Sequence, residues 1–288
     1  MKEPTDFYKG LFFGIAAVTA LLVFVIIGFL LYAAAPVLTT SGIGFITGSV
    51  WNYDSHQYGI LIFLVDSILL TALTLVIAVP FGILTAMYLA EWAPVWMERI
   101  LRPLVELLVG IPSVVYGFFG LLILSNVFTD LSLASYHVGL LLTAIVLAIM
   151  VIPTIVALSQ DAMRGVPDEY RDASIALGAT RWETVRSVVI PAAFPGIVTS
   201  VVLAMMRAMG ETMAVVMLLG NNPKIPASLF DQGYTMTAKI LNDILYYVSF
   251  PEPRAALFGI AVVIFLMEML AVAGLRLICS WAQKRSGA

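Results

Sequence analysis

Six stretches of this chain are apolar for about 20 residues or more, the length a helix needs to cross a bilayer's hydrocarbon core. They lie near Gly10–Ala35, Ile60–Ala90, Leu104–Leu124, Val138–Leu158, Ala192–Leu219 and Ala256–Ile278. Lipid offers no hydrogen-bond partners, so the backbone groups of each stretch must pair within it, which calls for helices. The period-2 alternation of a membrane barrel is absent. Composition agrees: of 288 residues, 61% are hydrophobic and 11% charged, and the mean hydropathy is +1.01, whereas soluble domains are about one quarter charged. The expected fold is an all-α membrane protein of six transmembrane helices, with no repeat period, linker or second domain.

Other classes are excluded in turn. The net charge of -3 argues against nucleic acid as a partner. One cysteine, Cys279, excludes an intrachain disulfide framework, and His56 and His137 are far apart in expected loops, which does not suit a metal site. No phosphate-binding G-x-x-x-x-G-K-[ST] loop, G-x-S-x-G elbow, H-E-x-x-H or C-x-x-C occurs, so a hydrolase or metalloenzyme is disfavoured. Ala33-Ala34-Ala35 looks like a small-residue cleavage site, but its apolar run exceeds a signal core and Pro36 follows at once. The first stretch is therefore expected to be a retained helix.

Orientation follows from the basic residues. With both termini on one side, that side carries eleven of the 15 Lys and Arg residues; Lys224, Lys239 and Arg254 lie on the other, and Arg207 falls within a span. The positive-inside rule places both termini in the cytoplasm. On the same side, Arg164–Pro191 is a charged segment between two apolar stretches. Pro167 suits a first helical turn, and Asp168 and Glu169 complement its dipole. Gly178 suits the left-handed residue that stops a helix, and Thr180 with Glu183 forms a capping box for a second one. A helix–Gly–helix knob of this kind is shaped to be held from the aqueous side. On the opposite side, Gly220–Arg254 is the longest loop, within which Thr235–Val248 reads either as a short amphipathic helix or as a surface loop.

Charges within spans are costly and point to function. Arg207 and Glu211 are four residues apart and are expected to share one helix face, with Glu268 at similar depth on the last span. Asp66 and Glu106 lie near span ends, where solvent contact is expected. Two readings of Arg207 stand. One is a neutralising pair with Glu211. The other is an anion site, because guanidinium offers a fork of donors that matches tetrahedral oxyanions. In the second reading Glu211 accepts a hydrogen bond from protonated phosphate, which sulfate cannot donate. Gly210 leaves room for a close approach. In the third span Pro112 interrupts the helix, and Ser113 and Tyr116 either line a polar path or accompany a kink packed by small residues. The nearby Met205, Met206, Met209 and Met213 read as adaptable packing.

These residues carry a resemblance. Asp172-Ala-Ser-Ile-Ala-Leu-Gly178, nine residues, then Val188-Val-Ile-Pro191 resembles the EAA loop of ATP-binding-cassette importer permeases, with Asp172, Ser174 and Val188-Val-Ile190 as departures. More narrowly, the chain is similar to PstC-type permeases of phosphate importers. Trp51-Asn52, Ala78–Gly82, Tyr88–Glu91, Gly110–Gly117, Arg207–Val215 and Gly220–Pro223 carry that likeness. The resemblance implies a MetI-like permease fold in a prokaryotic inner membrane and half of a phosphate path, with Arg207, Glu211, Thr212, Ser113 and Tyr116 along it. It implies a PstA-type sister permease, two cytoplasmic PstB-type ATPases and an external PstS-type phosphate-binding protein as partners. It implies no cofactor in this chain, since ATP and Mg²⁺ belong to the ATPase. Arg171, Asp172, Ala173, Ser174 and Gly178 would couple to that ATPase. The expected divisions are an N-terminal helix and loop (1–59), a permease core (60–282, coupling loop 161–191) and a tail (283–288). The alternatives are a same-class permease for molybdate or sulfate, an ion-coupled secondary transporter and, least supported, a membrane enzyme.

Overall fold

The computed structural model describes residues 4–130 and 138–285, with side chains over 8–128 and 138–280. His137 lies outside the described residues. The chain divides into two compact units, each drawn from separate stretches: Met1–Leu61 with Ile240–Phe265, and Ile62–Lys239 with Leu266–Ala288. No linker marks the division because each unit is assembled from distant stretches of sequence.

In the first unit, α1 (Pro4–Ser41) exposes apolar side chains on every side, including Phe12, Phe13, Phe24 and Tyr32, as suits lipid contact. A short α2 (Ile43–Thr47) leads to a hairpin that the sequence had read as loop, β1 (Trp51–Asn52) with β2 (Gln57–Tyr58). Asn52 Oδ1 accepts the N–H groups of Asp54 and Ser55, and His56 takes a left-handed φ of 53°. Tyr53 stacks on Tyr247 with ring centres 3.7 Å apart and donates its hydroxyl to Asp243. Burial and the Asp243 carboxylate push the Tyr53 phenol above its ordinary value. At the hairpin's turn, His56 Nδ1 lies 2.6 Å from Glu252 Oε2.

The second unit holds most of the remaining helices: α3 (Leu61–Glu91), α4 (Val95–Val109), α5 (Ser113–Phe119), α6 (Ser125–Asp130), α7 (Leu140–Arg164), α8 (Asp168–Ala176), α9 (Arg181–Thr184), α10 (Ile190–Gly210) and α11 (Met213–Leu218). Helices α12 (Met236–Tyr247) and α13 (Pro251–Arg285) contribute to both units, and α13 runs past the boundary expected at residue 282. Of the two readings of Thr235–Val248, the structure has the helix, as α12. Among the described residues, five helices are long and apolar enough to span a membrane, or six if the bent pair α4 and Ser113–Phe128 counts as one span.

Two expected spans take different forms. The third, expected over Leu104–Leu124, is broken at Gly110–Pro112 with a bend of 96°. Gly110 is a weak helix former, Pro112 donates no N–H, and the residue before a proline avoids helical angles. The fifth, expected over Ala192–Leu219, starts earlier and ends sooner. A π-helical turn, Val185–Val189, joins α9 to α10, so the helix is continuous from Arg181 to Gly210. In that turn the Ile190 N–H reaches Val185 O, five residues back. The widened turn makes room for the Pro191 ring, which would clash in an α-helical one.

Helix α7 is the best buried of the spans and forms the centre of this unit. Its orphan N–H groups are met by carbonyls of the loop after α11: Leu140 N bonds Asp231 O at 2.9 Å and Leu141 N bonds Leu229 O at 2.8 Å. Small residues set the helix spacing. A Cβ on Gly82 would lie 2.7 Å from Ile155 Cγ2, and one on Gly120 would lie 2.8 Å from Leu218 Cδ1 and from Val146 Cγ2. Asp66, expected near solvent, is fully buried where the segment after Gly233 folds over α3. Glu106 instead stays exposed and pairs with Arg102 at 3.1 Å.

Gly82→Ala is expected to lower the midpoint of thermal unfolding in detergent by the equivalent of about 1–3 kcal/mol, because it overpacks the contact with Ile155. Gly14→Ala, where a Cβ meets nothing within 4 Å, serves as the control and should leave the midpoint in place.

Candidate functional site

Two places bring the sequence-selected residues together. The first is the break between α4 and α5. A helix end leaves carbonyls without partners, and the last three of α4 are met here. Leu107 O receives Gly110 N–H at 3.1 Å and Leu108 O receives Ile111 N–H at 3.3 Å. The Tyr116 hydroxyl, from the far side of the bend, also donates to Leu108 O at 2.9 Å. Arg207 Nη2 donates to Val109 O at 3.1 Å, and its Nη1 lies 3.5 Å from Thr154 Oγ1. A guanidinium at a helix C-terminus also complements the negative end of the dipole.

Arg207 and Glu211 do not share a helix face. Helix α10 stops at Gly210, and Glu211 is extended with ψ of 133°. Its carboxylate turns forward to accept Ala214 N–H at 3.2 Å, starting α11 as a capping residue does. Among the described residues no carboxylate lies within 4.0 Å of Arg207, so the neutralising pair does not form. Its polar partners are neutral, and it is half-buried. Thr212 Oγ1 bonds Gly210 O at 3.2 Å, and Ser113 opens α5 half-buried. Gly210 faces ordinary contact: Glu268 Oε1 is 3.7 Å from where its Cβ would lie. Gly117 does serve a close approach, since a Cβ there would lie 2.8 Å from Met217 Sδ. Packing by small residues and polar bonding across the bend thus coexist.

The second place is the knob. Pro167 precedes α8, Gly178 has φ of +88°, and Thr180 and Glu183 form the reciprocal capping box. Gly178 is held to glycine by its backbone angle alone, since nothing lies within 4 Å of a Cβ there. Arg171 turns inward. It pairs with Glu91 at 3.0 Å and donates to Met163 O at 2.9 Å and to Val166 O, pinning α8 to the ends of α3 and α7. Ser174 bonds Thr184 at 2.9 Å, joining α8 to α9. Beneath them Met87, Met163, Val166, Val185, Val189, Ala193 and Ile197 form a core. Asp172 and Ala173 face outward, as do Tyr170, Ile175, Leu177 and Trp182; Leu177 is 90% exposed. The knob is therefore cross-bonded within, and it presents Tyr170, Ile175, Leu177 and Trp182 among charged residues at its surface. The Glu91–Arg171 pair was missed because 80 residues separate its members. Among the described residues, no group of three or more potential metal ligands converges.

With this geometry, the comparisons with known proteins agree. The profile of the family described as binding-protein-dependent transport system inner membrane component matches residues 78–285. A probable ABC transporter permease protein, YqgH, of Bacillus subtilis is 42% identical over 242 residues, 83% of this chain and 78% of that protein. The phosphate transport system permease protein PstC of Mesorhizobium japonicum is 33% identical over 292 aligned positions, 93% of this chain and 89% of that protein. Among solved structures, a bacterial alginate ABC transporter in complex with its pentasaccharide-bound periplasmic protein aligns with a TM-score of 0.61. It covers 97% of this chain and 99% of that one at 15% identity, a likeness of fold alone.

Arg171→Ala leaves Glu91, only 12% exposed, without its cation. Losing one partner of a buried pair costs about 3 kcal/mol. Amide exchange across α8 is expected to speed up selectively, while exchange in α7 stays slow.

Proposed function

Because this chain belongs to the family of binding-protein-dependent transport system inner membrane components, a permease subunit of an ABC importer, we propose that its cargo is inorganic phosphate. The observation that carries this reading is the state of Arg207. A guanidinium bonded only to neutral groups is an unbalanced charge beside a helix break. An arriving oxyanion balances it and finds several N–H donors unused. Glu211, one residue beyond the end of α10, then accepts a proton-bearing oxygen, which phosphate has at neutral pH and sulfate lacks. The PstC relatives named for phosphate transport support the choice of anion.

In this reading the basic residues set both termini and the knob in the cytoplasm. The outward apolar residues Tyr170, Ile175, Leu177 and Trp182 then meet one ATPase subunit, with Asp172, Ala173, Ser174 and Gly178 shaping the contact helix and its stop. Arg171 acts from within, holding that helix on the bundle. ATP and Mg²⁺ would be bound by the ATPase and not by this chain. A sister permease would complete the path through which Arg207, Glu211, Thr212, Ser113 and Tyr116 are reached, and an external receptor would deliver phosphate. A same-class permease for molybdate or sulfate is the second reading; the name of the Bacillus subtilis relative carries no substrate.

The assembled complex, given receptors loaded with phosphate, sulfate or molybdate, decides between them. Phosphate-loaded receptor should be the one that stimulates ATP hydrolysis, and stimulation by the others alone would overturn the assignment. Replacing Arg207 with Lys should lower phosphate uptake about tenfold or more, since one charged hydrogen-bonding fork is lost. Glu211→Gln should narrow the preference for phosphate over sulfate by about tenfold; an unchanged ratio would remove Glu211 from selection.

A further inference from the structure

The break at Glu211 is also held from its other side, by residues that the importer reading above does not use; the inference drawn from them rests on that reading. The segment 219–237 closes on itself through Gly233 N–H to Leu219 O and Asn222 N–H to Gly233 O, both at 3.1 Å. It is then pinned to α3. Asp66 Oδ2 accepts Tyr234 N–H at 2.6 Å, and Ser67 Oγ accepts Met236 N–H at 3.0 Å. Gly233 sits so close that a Cβ would come within 2.9 Å of Asp66 Oδ2. One residue after Met236, Thr237 Oγ1 donates to the carbonyl of Glu211 at 2.9 Å.

Asp66 is an expensive way to hold a loop. It is fully buried, and its Oδ1 has no partner. A carboxylate so placed carries a desolvation penalty that its one backbone bond does not offset. Glu211 lies just beyond the end of α10, with its own N–H reaching Ala208 O at 3.4 Å. Its carbonyl is secured by Thr237, and its carboxylate by Ala214 N–H.

We propose that Asp66 and Thr237 are positioning residues for the transport step. Asp66 fixes Tyr234 on the approach to α12 while Ser67 holds its first residue, and Thr237 fixes from that first turn the main chain at Glu211, so the segment 219–237 aims the Glu211 carboxyl. In the orientation proposed above, this segment faces the receptor side. A change imposed on it from outside is then passed to the anion-selecting carboxylate through two hydrogen bonds.

Thr237→Val keeps the side chain's shape and removes the donor, whereas Thr237→Ser keeps the donor. In the assembled complex, Thr237→Val should raise the exchange rate of the Ala214 amide about tenfold, the usual effect of losing one restraining hydrogen bond. It should also lower phosphate moved per ATP hydrolysed several-fold, with hydrolysis in the absence of receptor unchanged. Asp66→Ala should do the same, and Asp66→Asn, which keeps an acceptor for Tyr234 N–H, should retain most coupling. Thr237→Ser should restore both readouts. Unchanged exchange in Thr237→Val overturns the proposal, as does an equal defect in Val and Ser variants, which would mark a merely structural role. The exchange measurement needs no substrate, so it judges the clamp even if the wild-type complex fails to transport phosphate, a result that would overturn the substrate reading alone.

Discussion

A carbonyl left over where a helix breaks inside a membrane must find a donor, and the supply of such donors governs this structure. At Leu108 and Val109 the donors are the Tyr116 hydroxyl and the Arg207 guanidinium. Lipid cannot take their place. Side chains from two other stretches of helix thus help to hold the bend, and the same bonds place a cation beside it. Under the function proposed above, one residue would serve both structure and anion affinity, and an anion drawn to Arg207 would compete with the bond that holds the bend.

The chain treats two of its proline-containing junctions in opposite ways. Gly110-Ile111-Pro112 stops the helix and turns it through 96°. Around Pro191 the chain takes one wide turn and the helix runs on. The difference lies in what precedes each ring. At the first, glycine and a residue forced away from helical angles weaken the turn. At the second, an extra residue in the turn absorbs the steric conflict. A bend is placed near the middle of one span and avoided in the other.

Much of this was legible in the amino-acid sequence. Uniform apolarity marked α1, α3, α7 and α13. Local capping chemistry marked the knob down to the Thr180–Glu183 box, because such bonds join residues three apart. What escaped depended on distant partners. Glu91 and Arg171 read as ordinary charges until the fold brings them together. Asp66 looked like a span-end residue, since nothing near it in sequence announces that Gly233 and Tyr234 cover it. Arg207 and Glu211 have helical spacing, and the expectation that they share a face failed because Glu211 caps the next helix. A regular period does not reveal where a helix ends when the terminating bond is made by the following segment.

The unbroken run from Arg181 to Gly210 has a mechanical consequence. From the knob to Arg207 it forms a rod of roughly 40 Å, so a tilt of about 4° at one end carries the other about 3 Å. That displacement matches the 3.1 Å between Arg207 Nη2 and the Val109 oxygen. Leverage of this kind asks for stiffness and not for large motion, and a helix with no hinge at Pro191 supplies it.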